Sequence, residues 1–137
     1  RQRLQRREME RQEMQNAVAA QTAAAQYMES FIRDATDQLE MLTAQIAGLD
    51  VEMASVSSVR ARLEGQSRSG GNFAEIQRLR ERFLFFRGEL ERATTERNLL
   101  RNTIEEARRR LEEIRAGPPQ QTYDLRKFSL GGPARKF

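Results

Sequence analysis

The sequence contains no Cys, His or Trp, and its three Pro residues all lie within the last 20 positions. Without Cys there is neither a disulfide framework nor a thiolate metal site. His and Cys are also the usual general base and thiol nucleophile of enzymes. Gly70-Gly71 is not followed by the Lys-Ser/Thr pair of a phosphate-binding loop. We therefore predict a non-enzymatic protein with no catalytic residues, no cofactor and no metal site.

Long apolar runs are missing as well. No stretch approaches the roughly 18 apolar residues that a membrane-spanning helix needs, and the first residues are charged. We expect neither a membrane span nor a secretory signal.

Charge is concentrated at the two ends of the chain. The net charge is +4, and residues 1–13 contain five Arg and three Glu. Residues 117–137 contain four basic residues and one Asp, whereas the residues between are close to balanced. This distribution predicts a solvated helical middle with basic termini.

Apolar residues recur at alternating spacings of three and four along two stretches, 18–63 and 76–114. Twelve of the fourteen positions in the first stretch are apolar, and the exceptions are Gln21 and Arg60. Eleven of the twelve in the second are apolar, and the exception is Arg97. Such spacing over many turns is typical of helices that pair as a left-handed coiled coil.

Turn-forming residues bound these helices. The segment GQSRSGG at 65–71 ends the first helix near residue 64, and Asn72 is a helix-starting residue for the second. Gly117-Pro118-Pro119 ends the second helix at 116. We predict an all-α fold, a long antiparallel coiled-coil helical hairpin with an extended C-terminal arm. Its parts are an overhang without a partner (1–24), the hairpin (25–116, with its turn at 65–72) and a basic arm (117–137).

Four residues are unusual for their positions in these helices. Gly48 and Gly88 lie in helix interiors, where glycine costs about 1 kcal/mol relative to Ala. They indicate either a bend or the close approach of a neighbour. Arg60 and Arg97 occupy apolar positions, where an Arg either sets register or extends outward over its own methylene stem.

Several bulky apolar residues lie outside the predicted seam between the helices. Leu84, Phe85 and Leu99 fall on outer positions of the second helix, and Tyr27 and Phe31 flank the seam of the first. A two-helix hairpin does not cover them, so we predict that they contact another protein chain in a homo-oligomer or a heteromeric assembly. The alternative is that they are ordinary exposed hydrophobic residues.

The arm combines basic with apolar residues and has no helical period. We predict that it docks in a groove of a neighbouring subunit through apolar anchors. An alternative is nucleic-acid contact through Arg126, Lys127, Arg135 and Lys136, and a third possibility is a disordered tail. The predicted anchors are Tyr123, Leu125, Phe128, Leu130 and Phe137.

The Gln/Ala-rich stretch NAVAAQTAAAQ (16–26), beside Arg/Glu-rich helices, resembles internal or ejection-type virion proteins of short-tailed bacteriophages in composition over about residues 1–60. That resemblance implies a helical, enzymatically plain structural subunit assembled in rings near the portal. Since we expect neither a secretory signal nor a membrane span, we expect the protein in the cytoplasm or in a virion. The hairpin also resembles stalk-like export chaperones and prefoldin, but the Pro/Gly arm departs from the export chaperones and the charged end from prefoldin. We expect a structural or assembly subunit, with a client-binding chaperone or a nucleic-acid-contacting protein as alternatives.

Overall fold

The structure, a computed structural model, describes residues 2–66 and 72–131. It contains two helices, α1 (Gln2–Gln66) and α2 (Phe73–Ala116), and no strand within those ranges. The prediction of an all-α fold is thereby confirmed. The helices pack against each other in a manner consistent with a helical hairpin. Most of the predicted turn, residues 67–71, lies outside the described residues.

The ends of α2 follow from local chemistry. At its start the Ile76 N–H donates to the Asn72 carbonyl at 2.9 Å. At its end the Gly117 N–H donates to the Glu113 carbonyl, also at 2.9 Å. A Cβ atom at position 117 would lie only 2.9 Å from that carbonyl oxygen, so glycine fits there and a larger residue does not. Pro118 then prevents the helix from continuing.

The chain divides into two compact units. Unit 1 comprises Arg1–Asp37 with Arg101–Phe137, and unit 2 comprises Gln38–Leu100. Each unit therefore contains a portion of both helices.

Unit 2 is a pair of helices with a thin core. The helices run antiparallel, because an Arg80–Glu64 ion pair at 3.3 Å and the Arg60 guanidinium, 5.6 Å from the centroid of Phe83, both connect them. The remaining seam residues, such as Leu49 and Leu90, are half-buried. One helix therefore covers only part of the apolar seam of the other. The buried residues of unit 2 are Val56, Ile76 and Ala93.

Unit 1 has a more complete core because a third segment joins the two helices. Three of its buried residues come from the chain after α2, and the others come from α1 and α2. Helices that are covered on two sides bury a wider face than helices that are covered on one. The buried residues of unit 1 are Ala17, Ala24, Met28, Phe31, Ala35, Ile104, Ala107, Leu111, Ile114, Tyr123, Leu125 and Phe128.

The part of α1 without a packing partner is shorter than the predicted overhang of residues 1–24. Ala17 and Ala24 are buried. The Gln21 side-chain amide donates to the carbonyl of Ile114 at 2.7 Å and to that of Gly117 at 3.1 Å. Gln21 thus supplies hydrogen-bond donors to carbonyls that the end of α2 leaves unpaired. Only residues 2–16 are exposed throughout.

Candidate interaction surfaces

The segment that follows α2, residues 117–131, packs on unit 1; we call it the tail segment. Its Leu125 side chain is fully buried, and Tyr123 and Phe128 are almost so. The Phe128 ring meets the ring of Phe31 edge to face, with centroids 5.7 Å apart and planes at 62°. Aromatic pairs in this geometry add roughly 0.5–1.5 kcal/mol to the gain from burial. The tail segment is therefore held on the helices chiefly by apolar anchors.

Hydrogen bonds within the tail segment shape it for this role. The Asp124 carboxylate accepts from the Arg126 backbone N–H at 3.2 Å and from its guanidinium at 2.8 and 2.7 Å. The Phe128 N–H donates to the Leu125 carbonyl at 3.0 Å, which closes a turn. This turn lets Leu125 and Phe128 point to the same side while the charged residues between them remain exposed.

The tail segment also makes polar contacts with each helix. The Tyr27 hydroxyl on α1 donates to the Phe128 carbonyl, and the Lys127 ammonium lies 2.8 Å from the Glu106 carboxylate on α2. Burial raises the pKa of Tyr27, because the ionised phenolate is less well solvated there. The hydrogen bond and charge of Lys127 hold the pKa of Glu106 below its usual range. Glu106 and Lys127 are both well exposed, so we assign their ion pair little stabilising energy.

These contacts correct part of the predicted docking site. Phe31, Tyr123, Leu125 and Phe128 were expected to reach another subunit, but all four are buried in their own chain. The groove that the arm required is formed by α1 and α2 of the same unit. Tyr27 is half-buried beside them. Leu130, by contrast, is 42% exposed, and Phe137 lies outside the described residues.

Charge pairing alters the interpretation of the basic arm. Arg126 pairs with Asp124, and Lys127 pairs with Glu106. Beside them lies an open groove of about 440 Å³, in which Arg110 pairs with Glu113 at 3.1 Å. Most positive charge here is therefore already matched by a carboxylate, which disfavours nucleic-acid contact at this place. Arg135 and Lys136 lie outside the described residues.

Unit 2 exposes the bulky residues that the sequence placed outside the seam. Leu84 is 61% exposed and Phe85 63%. Both lie outside the seam at which Phe83 meets Arg60 of α1, and the Phe85 ring packs edge to face on the Phe86 ring of its own helix with centroids 5.8 Å apart. Leu99 is exposed to a similar extent. Neither α1 nor the tail segment buries these side chains.

Arg60 and Arg97 at the seam are both half-buried. The Nε atom of each is buried and has no hydrogen-bond partner. Arg60 Cζ lies 5.6 Å from the centroid of the Phe83 ring, and its Nε lies 3.9 Å from the Glu64 carboxylate.

The two mid-helix glycines are not explained by contacts within the chain. A Cβ atom built at Gly48 or at Gly88 would meet no other atom within 4 Å. The protein's own chain therefore does not require glycine for a close approach at either position.

Comparison with known proteins gives no functional assignment. No protein-family model, curated protein or solved structure matches this chain. Within residues 2–66 and 72–131, no group of three or more carboxylates is arranged to hold a metal ion. Neither helix, over its described length, has an apolar stretch that would cross a membrane.

Proposed function

We propose that the protein is a non-enzymatic structural subunit that assembles with other protein chains. In this proposal the paired helices form a coiled-coil hairpin, and the outer surface of unit 2 is the contact region. One observation carries the proposal: Leu84 and Phe85 are adjacent, bulky and more than 60% exposed on a unit whose own core is thin.

The contrast between the two units supports this proposal. In unit 1 a third segment covers the helix pair, and residues such as Met28 and Ile114 are fully buried. In unit 2 no third segment is present among the described residues, and the seam stays half-open. Isolated two-helix hairpins bury too little apolar area to be very stable. A further helix from another chain would cover the helix pair of unit 2, as the tail segment covers the helix pair of unit 1.

Burial of the two exposed side chains would contribute free energy to association. Complete burial of a Leu or Phe side chain contributes roughly 1.5–3 kcal/mol. Leu84 and Phe85 together therefore contribute several kcal/mol at each contact, before the cost of association is subtracted. Single contacts of this size are weak, so repeated contacts in an oligomer suit them better than one isolated dimer interface.

Light scattering over a concentration series, at low and at high salt, tests the proposal. We expect a discrete oligomer that persists at high salt, because apolar burial is not screened. Replacing Leu84 and Phe85 by Ser should abolish it. Replacing the equally exposed Leu4 and Met9 by Ser is the matched control and should leave the mass unchanged. A monomer at every concentration would contradict self-assembly and favour the alternative, a chaperone with a different protein as its client.

A further inference from the structure

We infer that copies of this chain associate head to tail, with the outer face of α2 in one copy packed on the outer face of α1 in the next. This inference rests on the proposed function and names its partner, a second copy, and its geometry. Both faces belong to unit 2 and point away from the seam. The α2 outer face consists of Leu84, Phe85 and Gly88, with Arg78 and Arg92 one heptad on either side of Phe85. The α1 outer face consists of Ala44, Ala47, Gly48, Val51, Ala54 and Ser55.

The two faces are complementary in shape. The α2 outer face projects two large side chains from adjacent positions. The α1 outer face is exposed along its length, and all of its residues except Val51 are small. Small residues let a second helix approach closely and leave a shallow groove for large side chains. Two bulky faces, or two small ones, would pack less closely against each other.

Gly48 and Gly88 provide a second line of support. Each lies in a helix interior, where glycine costs about 1 kcal/mol relative to Ala. Neither cost is explained within the chain, since no atom lies within 4 Å of a Cβ built at either position. Each glycine lies on one of the two proposed faces. The close approach of a neighbouring helix from another copy would explain why glycine stands at both positions.

Charge also distinguishes the two faces. Residues 38–59 of α1 contain three acidic residues and no basic one. Residues 78–92 of α2 contain five Arg and three Glu. Within the described part of the chain, Asp50, Glu52 and Arg78 make no ion pair, whereas Arg92 pairs with Glu89 of its own helix at 3.3 Å. An α1–α2 contact between copies brings opposite charges together, whereas α1–α1 and α2–α2 contacts bring like charges together.

This geometry has a consequence for assembly. Each copy uses one face to bind and keeps the other face available for the next copy. Such a heterologous contact closes into a ring or continues as a filament, according to the rotation between neighbours. A two-fold dimer through Leu84 and Phe85 alone would use the same face on both copies and stop at two.

Complementary blocked variants test the inference by analytical ultracentrifugation. Gly48→Arg blocks the α1 outer face and, because it removes a mid-helix glycine, should raise the melting temperature of the monomer. Leu84→Glu with Phe85→Glu blocks the α2 outer face, and Gly88→Glu is a second way to block it. We expect each variant alone to be monomeric. An equimolar mixture of Gly48→Arg with either α2 variant should form a 1:1 dimer through the two faces left intact.

Two results would contradict the inference. If Gly48→Arg assembles like the unmodified chain, or if the mixtures stay monomeric, the two faces are not partners and the inference is wrong. In that case an unmodified chain that still forms oligomers would leave the proposed function standing through another contact. An unmodified chain that is monomeric throughout would overturn both self-assembly and this inference.

Discussion

Phe128 joins the tail segment to α1 through both its ring and its backbone carbonyl. Because the side chain is almost fully buried, Phe128→Ala should leave a cavity and lower the free energy of unfolding by about 3 kcal/mol. Leu130→Ala, two residues further on and half-exposed, is the control and should cost less than about 0.5 kcal/mol. Urea denaturation followed by circular dichroism measures both. Equal losses would show that the tail segment is not anchored by Phe128.

Tyr27 should make stability sensitive to alkaline pH. In the unfolded chain its phenol ionises near pH 10, but burial raises the pKa in the folded chain. Above pH 10 the folded state therefore keeps a proton that the unfolded state has lost, and stability falls as the pH rises. Tyr27→Phe should begin with a lower melting temperature, because the bond to the Phe128 carbonyl is lost, and should then decline less between pH 9 and 11.

The unmodified chain and Tyr27→Phe differ only at position 27, so the difference between their two declines isolates the contribution of Tyr27. Parallel declines in the two chains would mean that Tyr27 does not carry the pH dependence.

Individual residues also show which contacts the spacing pattern predicts and which it does not. The spacing pattern identified Met28, Val56 and Ile104 as inward-facing, because burial along a helix repeats with the helical period. Gln21 was only an exception to that pattern. Its bonds to Ile114 and Gly117 join residues more than 90 positions apart, and no local signal in the sequence reports such a contact.

At the scale of elements, both helices could be predicted from local chemistry, whereas the position of the tail segment could not. Asn72 and Gly117 mark helix ends through bonds to residues four positions away. Tyr123, Leu125 and Phe128 were recognised as apolar anchors, but their spacing does not say whether their groove lies in the same chain. The small residues Ala17 and Ala24 were a partial signal, since they allow a third segment to approach α1 closely.

Deleting the tail segment should destabilise unit 1 selectively. A chain that ends at Ala116 uncovers Phe31, whose ring packs against that of Phe128, so amides in 17–36 and 104–114 should exchange with solvent at least tenfold faster. Amides in 46–60, within unit 2, should keep their protection. A full-length chain with Leu125→Ser and Phe128→Ser should reproduce the effect without shortening the chain. Uniform loss of protection would show that the two units do not open separately.

At the scale of the whole molecule, the net charge of +4 conceals a separation of charge between the two helices of unit 2, which bears on the proposed head-to-tail contact. Acidic residues without basic neighbours lie on α1 of unit 2, and an excess of Arg lies on α2 of the same unit. Residues of like charge face one another in any symmetric pairing of identical faces, and residues of opposite charge do so in the head-to-tail arrangement. In the proposed assembly, charge would favour the head-to-tail arrangement of copies, and apolar burial would supply most of the energy of association.

This division of roles predicts a partial dependence of self-association on salt. Raising NaCl from 50 mM to 1 M should weaken association by about tenfold, because a few exposed ion pairs worth roughly 0.2–1 kcal/mol each are screened. It should not abolish association, because the burial of Leu84 and Phe85 remains. Arg78→Gln with Arg92→Gln should remove most of this salt dependence, whereas Arg3→Gln with Arg6→Gln, on the exposed start of α1, should leave it intact. Sedimentation equilibrium at a series of salt concentrations measures the slope for each chain. An equal slope for the two double variants would place the complementary charges on a surface other than the α2 outer face.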